Sequence, residues 1–501
     1  MRYPATLWRP TSALPLALIC TALLCTAFSA AVVADSDADR LVAAMRGETP
    51  MVDDLRSLTD EVGGRPTGSE ANREAVEWAV ERLRQAGVKT WTEAFTMPAL
   101  WLEESASAVV RSTDGEFSFE PRIVAAPFSA PASGLTAPLV DGGIGSDSDF
   151  ERLGDSARGA LVVIETEELH DVPGLFKEYG DNYATEGLAM EAGVGGLVYV
   201  GSRSRNVLHR HNASRGPGNE LPILAIERES GLRVLRLLRD GHSLELTTTL
   251  SFTSGGAYQS RNVIAEIKGS VEPEQFVVIG AHLDSWGLGT GALDNGCNVA
   301  LVIDLARQIK RLGLTPKRTI RFALWNGEEQ GMHGSWGYVQ THAEELDRHV
   351  MASSFDIGSG RITGFFTGGR PEILEQVARA LEPVADLGPF SQLDIPLVGT
   401  DNYDFMIEGI ANLVANQESA NYGPNYHADT DTFDKVDQEQ LRLNGAIAGA
   451  IIWGFANDEI SWSRQSRAEI EKLIASGDLE SQMRMFNAWE PWIAGVRGRA
   501  D

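Results

Sequence analysis

Three features of the sequence predict an α/β fold in which a mixed, mainly parallel sheet is flanked by helices and a smaller β-rich domain is inserted. At 501 residues the chain exceeds what one hydrophobic core usually serves, so two domains are expected. From about residue 105 to 250, short apolar runs such as "GALVVIE", "GGLVYVG" and "LPILAI" stand between turn signals, which marks the β-rich insertion. After Ser260 strands and helices alternate, the pattern of a sheet with helices on both faces.

In chain order, residues 1–34 read as a secretory signal. Arg2 and Arg9 precede an apolar stretch from about residue 13 to 27, followed by the small-residue run "FSAAVVA", with cleavage near Ala31 or Ala34. The apolar stretch is shorter than the roughly 20 residues a membrane span needs, and Pro15 interrupts it. A secreted or periplasmic protein with no membrane span after signal removal is expected. Cys20 and Cys25 would leave with the signal, so Cys297 alone remains and no intramolecular disulfide is possible.

The main domain begins at 35–104, where Ser69 can cap a helix with apolar positions Ala75, Val76, Ala79, Val80 and Leu83 that Gly87 ends; the turn-rich "GGRPTGS" leads into it. The inserted stretch, 105–250, carries one helical segment near residues 183–192. The main domain resumes over 251–501. Strands are expected at "NVIAEIKG", "QFVVIGAH", "TIRFALW", "VMASSFDI" and "ANLVANQ", with a helix from about Asn295 to Leu312 closed by Gly313. Asp437 and Gln440 form a capping pattern for a helix through Phe455. Trp462, Met483, Phe486, Trp489 and Trp492 mark a tail that packs on a core or a partner.

The formal charge of -27, with no basic stripe, excludes nucleic acid as an expected partner. Function therefore has to be sought in particular residues.

In an open α/β sheet, functional groups gather where strands end at their carboxyl side. His282 and Asp284 end one strand, Glu328 and Glu329 the next, and Asp356 a third. His282 and Asp284 are two apart and face the same way on an extended backbone, so a carboxylate can fix one ring nitrogen while the other binds a metal. They equally suit a hydrogen-bonded structural pair. Asp294 is either the N-cap of the following helix or a carboxylate able to bridge two cations. Glu328 and Glu329 would repel unless cations or protons relieve them, or unless they lie on a solvated loop. With His427 these make an oxygen and nitrogen set suited to zinc.

"HLDS" at His282, "GALDNG" around Asp294, "NGEEQG" around Glu328, "SFDIG" at Asp356 and "NYHADTDTFDKV" at His427 together resemble the M28 family of zinc peptidases with paired metals. The resemblance covers about residues 52–103 and 260–457, and the stretch between looks like the protease-associated domain that several members carry. "HLDSWGLGTGALDNG" and "LGLTPKRTIRFALWNGEEQG" look closest to the plasma glutamate carboxypeptidase branch, whose members are dipeptidase-like. The resemblance implies the zinc-peptidase fold and two Zn2+ per chain. It places one ion on His282 and Asp356 and the other on Glu329 and His427, with Asp294 bridging. It also implies that Glu328 is the general base, that Asp284 orients His282, and that a cis peptide follows the bridging aspartate.

The expected activity is hydrolysis of short peptides as an aminopeptidase or dipeptidase, with carboxypeptidase action and a glutaminyl-cyclase-like acyl transfer as alternatives. A receptor-like binding protein of the same fold is a third reading. The implied partner is a peptide, with a homodimer by analogy. Ser285, Trp286, His333, Asp401, Asn402 and Tyr403 are candidates for the pocket wall, and Cys297 reads as packing.

Overall fold

The computed structural model describes residues 36–500; the signal-like segment, with Cys20 and Cys25, lies outside the described residues. A seven-stranded sheet forms the centre. Its spatial order is Lys89–Met97, Tyr258–Ile267, Arg318–Trp325, Glu272–His282, His349–Ser354, Asn412–Gln417 and Ile362–Phe366. The four strands from Arg318–Trp325 to Asn412–Gln417 run parallel, and the outer three pair antiparallel. Arg318–Trp325 is buried at every position and the second half of Glu272–His282 likewise, as strands covered on both faces must be.

The helices cover this sheet. Ser69 caps Glu70–Gln85 by accepting from the Asn72 amide, and Gly87 follows at a φ of 74°. Cys297–Arg311 buries all but three of its residues, and each fully buried Val, Leu or Ile contributes about 1.5–3 kcal/mol relative to exposure. Asp437 accepts from the Gln440 amide at the start of Gln438–Asn457. The tail packs on its own chain: Met483 and Trp492 join Tyr403, Met406 and Ile407 in a separate apolar cluster.

The register of the parallel strands positions the chemistry. His282 pairs with Trp325, and Gly280 pairs with Ser354. Asp356, two residues beyond Ser354, therefore emerges level with His282, and Glu328 emerges three residues beyond Trp325. Three strands thus deliver their polar residues to one edge.

A second, eight-stranded sheet follows the order Ser118–Phe119, Leu100–Ser112, Leu244–Gly255, Ala132–Asp141, Leu161–Glu165, Gly196–Val200, Ile223–Ile226 and Ile123–Ala125. Its apolar residues form a cluster of their own, which reaches Trp286 next to the site. The helix Val172–Ala192 runs longer than the expected 183–192, with Asp171 accepting from the Gly174 amide and Gly193 ending it in the left-handed region. Two strands of the main sheet, Lys89–Met97 and Ile362–Phe366, escape the sequence reading because neither shows a clean apolar alternation.

Candidate active site

His282, Asp294, Glu329, Asp356 and His427 converge in the interior, none more than 8% exposed. His282 Nε2 lies 2.8 Å from Asp356 Oδ1 and 3.0 Å from Asp294 Oδ1. His427 Nε2 lies 2.8 Å from Glu329 Oε2 and 3.4 Å from Asp294 Oδ2. Asp294 thus spans two histidines, one oxygen to each. It does not cap the following helix: it sits in the tight turn Ala292–Gly296, and its peptide bond to Asn295 is cis.

The other ring nitrogens decide the tautomers. His282 Nδ1 is 2.9 Å from the main-chain carbonyl of Asp284, and His427 Nδ1 is 3.2 Å from that of Arg210. A carbonyl only accepts, so each Nδ1 carries the proton. Each Nε2 then points a lone pair at carboxylate oxygens, an arrangement that repels unless a proton or cation lies between. Glu329 Oε1 and Asp294 Oδ2 are also buried without a hydrogen-bond partner among the described residues. Ligand atoms about 2.0–2.2 Å from a shared tetrahedral zinc lie about 3.3–3.6 Å from one another; the 3.4 Å pair falls in that range, and the 2.8–3.0 Å pairs need only a small outward shift to reach it. The residues therefore fit a pair of divalent cations.

Protonation tells the same story. Burial pushes Glu328 and Glu329 well above the ordinary carboxylate range, with neighbouring carboxylates adding to the rise. Burial pushes the His282 ring down, but Asp356 together with Asp284 and Asp294 outweighs it and leaves the ring well above its usual value. Burial lowers His427 to about 4, which keeps it neutral as a ligand must be.

Glu328 stands off from His282 but shares a possible ligand cluster with it and Asp356. Its nearer oxygen is 4.0 Å from His282 Nε2, and its side chain faces two cavities. One, of about 300 Å³, is bounded by Glu329, His427, His333, Arg215 and Asn487. The other, of about 100 Å³, is mostly apolar, with Leu175, Phe176, Phe366, Val398 and Tyr422 in its wall.

The Asp284 carboxylate is 3.7 Å from the His282 ring and accepts instead from Thr67 Oγ1 at 2.7 Å and the Glu328 amide at 3.4 Å. Asp284 thus reaches the ring through its main chain, and its side chain ties that strand end to the next. Ser285 accepts from the Arg65 amide, and Trp286 lies edge-on to His427. His333 lines the larger cavity, while Gly399 and Thr400 line the smaller one. Asp401, Asn402 and Tyr403 are buried and line neither cavity; the helix Asn402–Ile407 turns Asn402 and Tyr403 into the core, while Asp401, just before it, stays close enough to Glu328 to raise its carboxyl. Cys297 is buried and bonds back to the Leu293 carbonyl.

Several supporting residues were missed. Asp431 accepts from the amides of Ala292, Leu293 and Asp294 at 2.7–3.1 Å and so holds the turn that presents Asp294. Arg65 is fully buried and donates to the carbonyls of Leu283, Thr290 and Gly291. Thr67, also in "GGRPTGS", donates to Asp284 while accepting from the Gly327 amide. The hint for Asp431 was its place four residues after His427 in the same motif; a buried arginine in a turn-rich entry carried none.

A further group, Glu178, His209 and His211, also brings possible ligand atoms together. Arg203 Nη1 lies 3.0 Å from Glu178 and already neutralises its charge, so this group reads as a buried ion pair.

The model of peptidase family M28 matches residues 262–452, which contain all of these acids and both histidines of the centre. Carboxypeptidase Q of Homo sapiens is 28% identical over 421 residues, 81% of this chain and 85% of its own. A probable lipoprotein aminopeptidase, LpqL, of Mycobacterium tuberculosis is 27% identical, with 83% and 85% covered. Among solved structures, a peptidase M28 precursor from Shewanella amazonensis superposes with a TM-score of 0.77 at 28% identity, covering 86% of this chain and 98% of the other. A zinc aminopeptidase from Bacillus subtilis shares the fold, with a TM-score of 0.64 at 22% identity over 82% and 95%. With the family match lying over the buried cluster, residues 262–452 carry a peptidase family M28 domain.

Proposed function

We propose that the protein is a di-zinc exopeptidase that hydrolyses short peptides, as an aminopeptidase or dipeptidase. One observation carries this: Asp294 places one carboxylate oxygen against each of two histidines whose Nδ1 protons are already engaged. His282 and Asp356 would hold one zinc, Glu329 and His427 the other, and Asp294 both. When bound, the pair supplies Lewis-acid polarisation of a carbonyl and lowers the pKa of water.

The chain's own residues do the rest. Glu328, which stands off from the histidines and faces both cavities, is the general base. It takes the proton of the attacking water on a carboxylate oxygen and passes it to the departing amine. Asp284 holds the Glu328 amide and so fixes where that carboxylate starts. The acid-rich edge attracts a free amino group, and the smaller cavity is suited to one apolar side chain.

Around this centre, residues 105–250 would form a protease-associated-like domain inserted between the peptidase segments 35–104 and 251–501; a second sheet with its own apolar cluster supports that division. The signal-like segment supports export. No helix among the described residues is long and apolar enough to cross a membrane.

The test is turnover on free dipeptides and on their amino-blocked and carboxyl-blocked forms. Hydrolysis of the free forms, abolished by a chelator and restored by zinc, is expected, with amino-blocked peptides refused. Turnover that persists after complete metal removal would reject the proposal.

A further inference from the structure

We propose that Arg210 is a positioning residue that sets the tautomer and orientation of His427, so that half of the metal centre depends on a loop leaving the second sheet. The inference rests on the reading of His427 as a zinc ligand. Unlike His282, whose ring proton is taken by a carbonyl two residues along its own segment, His427 has no such acceptor nearby in sequence. Its Nδ1 donates to the main-chain carbonyl of Arg210 at 3.2 Å, and the Arg210 amide returns a bond to the His427 carbonyl at 3.3 Å. His427 is held at a φ of 53°, a left-handed conformation that a residue with a side chain adopts only where its surroundings enforce it. The reciprocal pair with Arg210 is such an enforcement.

The carbonyl is useful only if Arg210 itself is fixed. Its side chain is 5% exposed, and Nη1 lies 2.7 Å from Glu103 Oε2 on the strand Leu100–Ser112. The guanidinium carbon sits 5.8 Å from the Trp101 ring and 5.7 Å from the Trp286 ring, within cation–π range of both. Trp286 in turn meets His427 edge-on, so the wedge that holds Arg210 also borders the imidazole. The flanking residues are pinned in the same way. Leu208 and Asp429 exchange backbone and carboxylate bonds, His209 bridges Ala428, and Asn212 Nδ2 donates to the Glu329 carbonyl at 2.6 Å. One loop therefore grips the main chain beside both ligands of the same proposed zinc, and grips neither ligand of the other.

A neutral imidazole binds metal through the nitrogen that lacks the proton. Loosening the acceptor at Nδ1 lets the ring flip or change tautomer, and partners of this kind typically carry 10–100-fold of metal affinity. The experiment uses the full chain, stripped by a chelator and titrated with zinc alone against a chromophoric competitor. The wild type should show two tight sites. Arg210→Ala should weaken one site about 10–100-fold and leave the other unchanged, and Arg210→Lys, which keeps the charge facing Glu103 and the two rings, should recover part of the loss. Glu103→Gln, which keeps the side-chain size and an oxygen that can accept from Arg210, should weaken the same single site by a smaller factor. Two unchanged sites in these variants, or an equal loss at both, would overturn the inference and leave the two-zinc reading standing. A wild type that takes up a single zinc would overturn that reading and this inference together.

Discussion

The two histidines of the centre are held by opposite means. His282 is the last residue of a buried strand whose register is set by paired neighbours on both sides, and its support lies two residues away. His427 lies in a loop in a left-handed conformation, and its support comes from a residue 217 positions earlier. A ligand on a regular element carries its scaffold in its own stretch of sequence. A ligand on a loop borrows one, and its geometry is then exposed to changes far away in the chain.

Removing either ligand tests the division most severely. His282→Ala and His427→Ala should each bind one zinc instead of two and lose measurable turnover; two tightly held zincs in His427→Ala would take that residue out of the site. Next in size is Asp431→Ala, which removes the acceptor for three amides of the turn presenting Asp294. Since Asp294 faces both histidines, kcat/KM should fall about 10–100-fold and both zincs should be held more weakly. Loss at one site only would mean that Asp294 does not serve both halves.

The smallest effect concerns the borrowed scaffold. Glu186, on the helix Val172–Ala192, accepts from the Ser214 amide in the same loop as Arg210, and burial raises its carboxyl to about 7. The folded state binds this proton more tightly than the unfolded state. Its stabilising contribution is therefore complete below about pH 4.5 and is lost as the pH rises through 7. Thermal melts should show the wild type losing stability between pH 5 and 8 and Glu186→Gln losing less; parallel profiles would show that Glu186 does not titrate there.

Much of this was legible in the sequence for a physical reason. Buried strands with helices between them announce a parallel sheet, and polar residues at their carboxyl ends have nowhere to go but one edge, so His282, Glu328, Glu329 and Asp356 could be placed together. His427 and Asp294 came from motifs whose residues resemble a family, not from periodicity. The supports were not legible. Arg210 looks like a surface arginine in "LHRHN", and only the fold reveals that two tryptophans from distant stretches close on it. Asn402 and Tyr403 show the converse, since polar residues in a turn-like stretch proved to point inward on a short helix.

Glu328 is where the account is most open to refutation, because its carboxylate is near enough to His282 and Asp356 to serve as a ligand instead of a base. Zinc content and dipeptide turnover measured together on Glu328→Gln decide between these roles. Two zincs per chain with turnover reduced by about 10²–10⁴-fold or more is the predicted result. Near wild-type turnover, or the loss of a zinc, would contradict it.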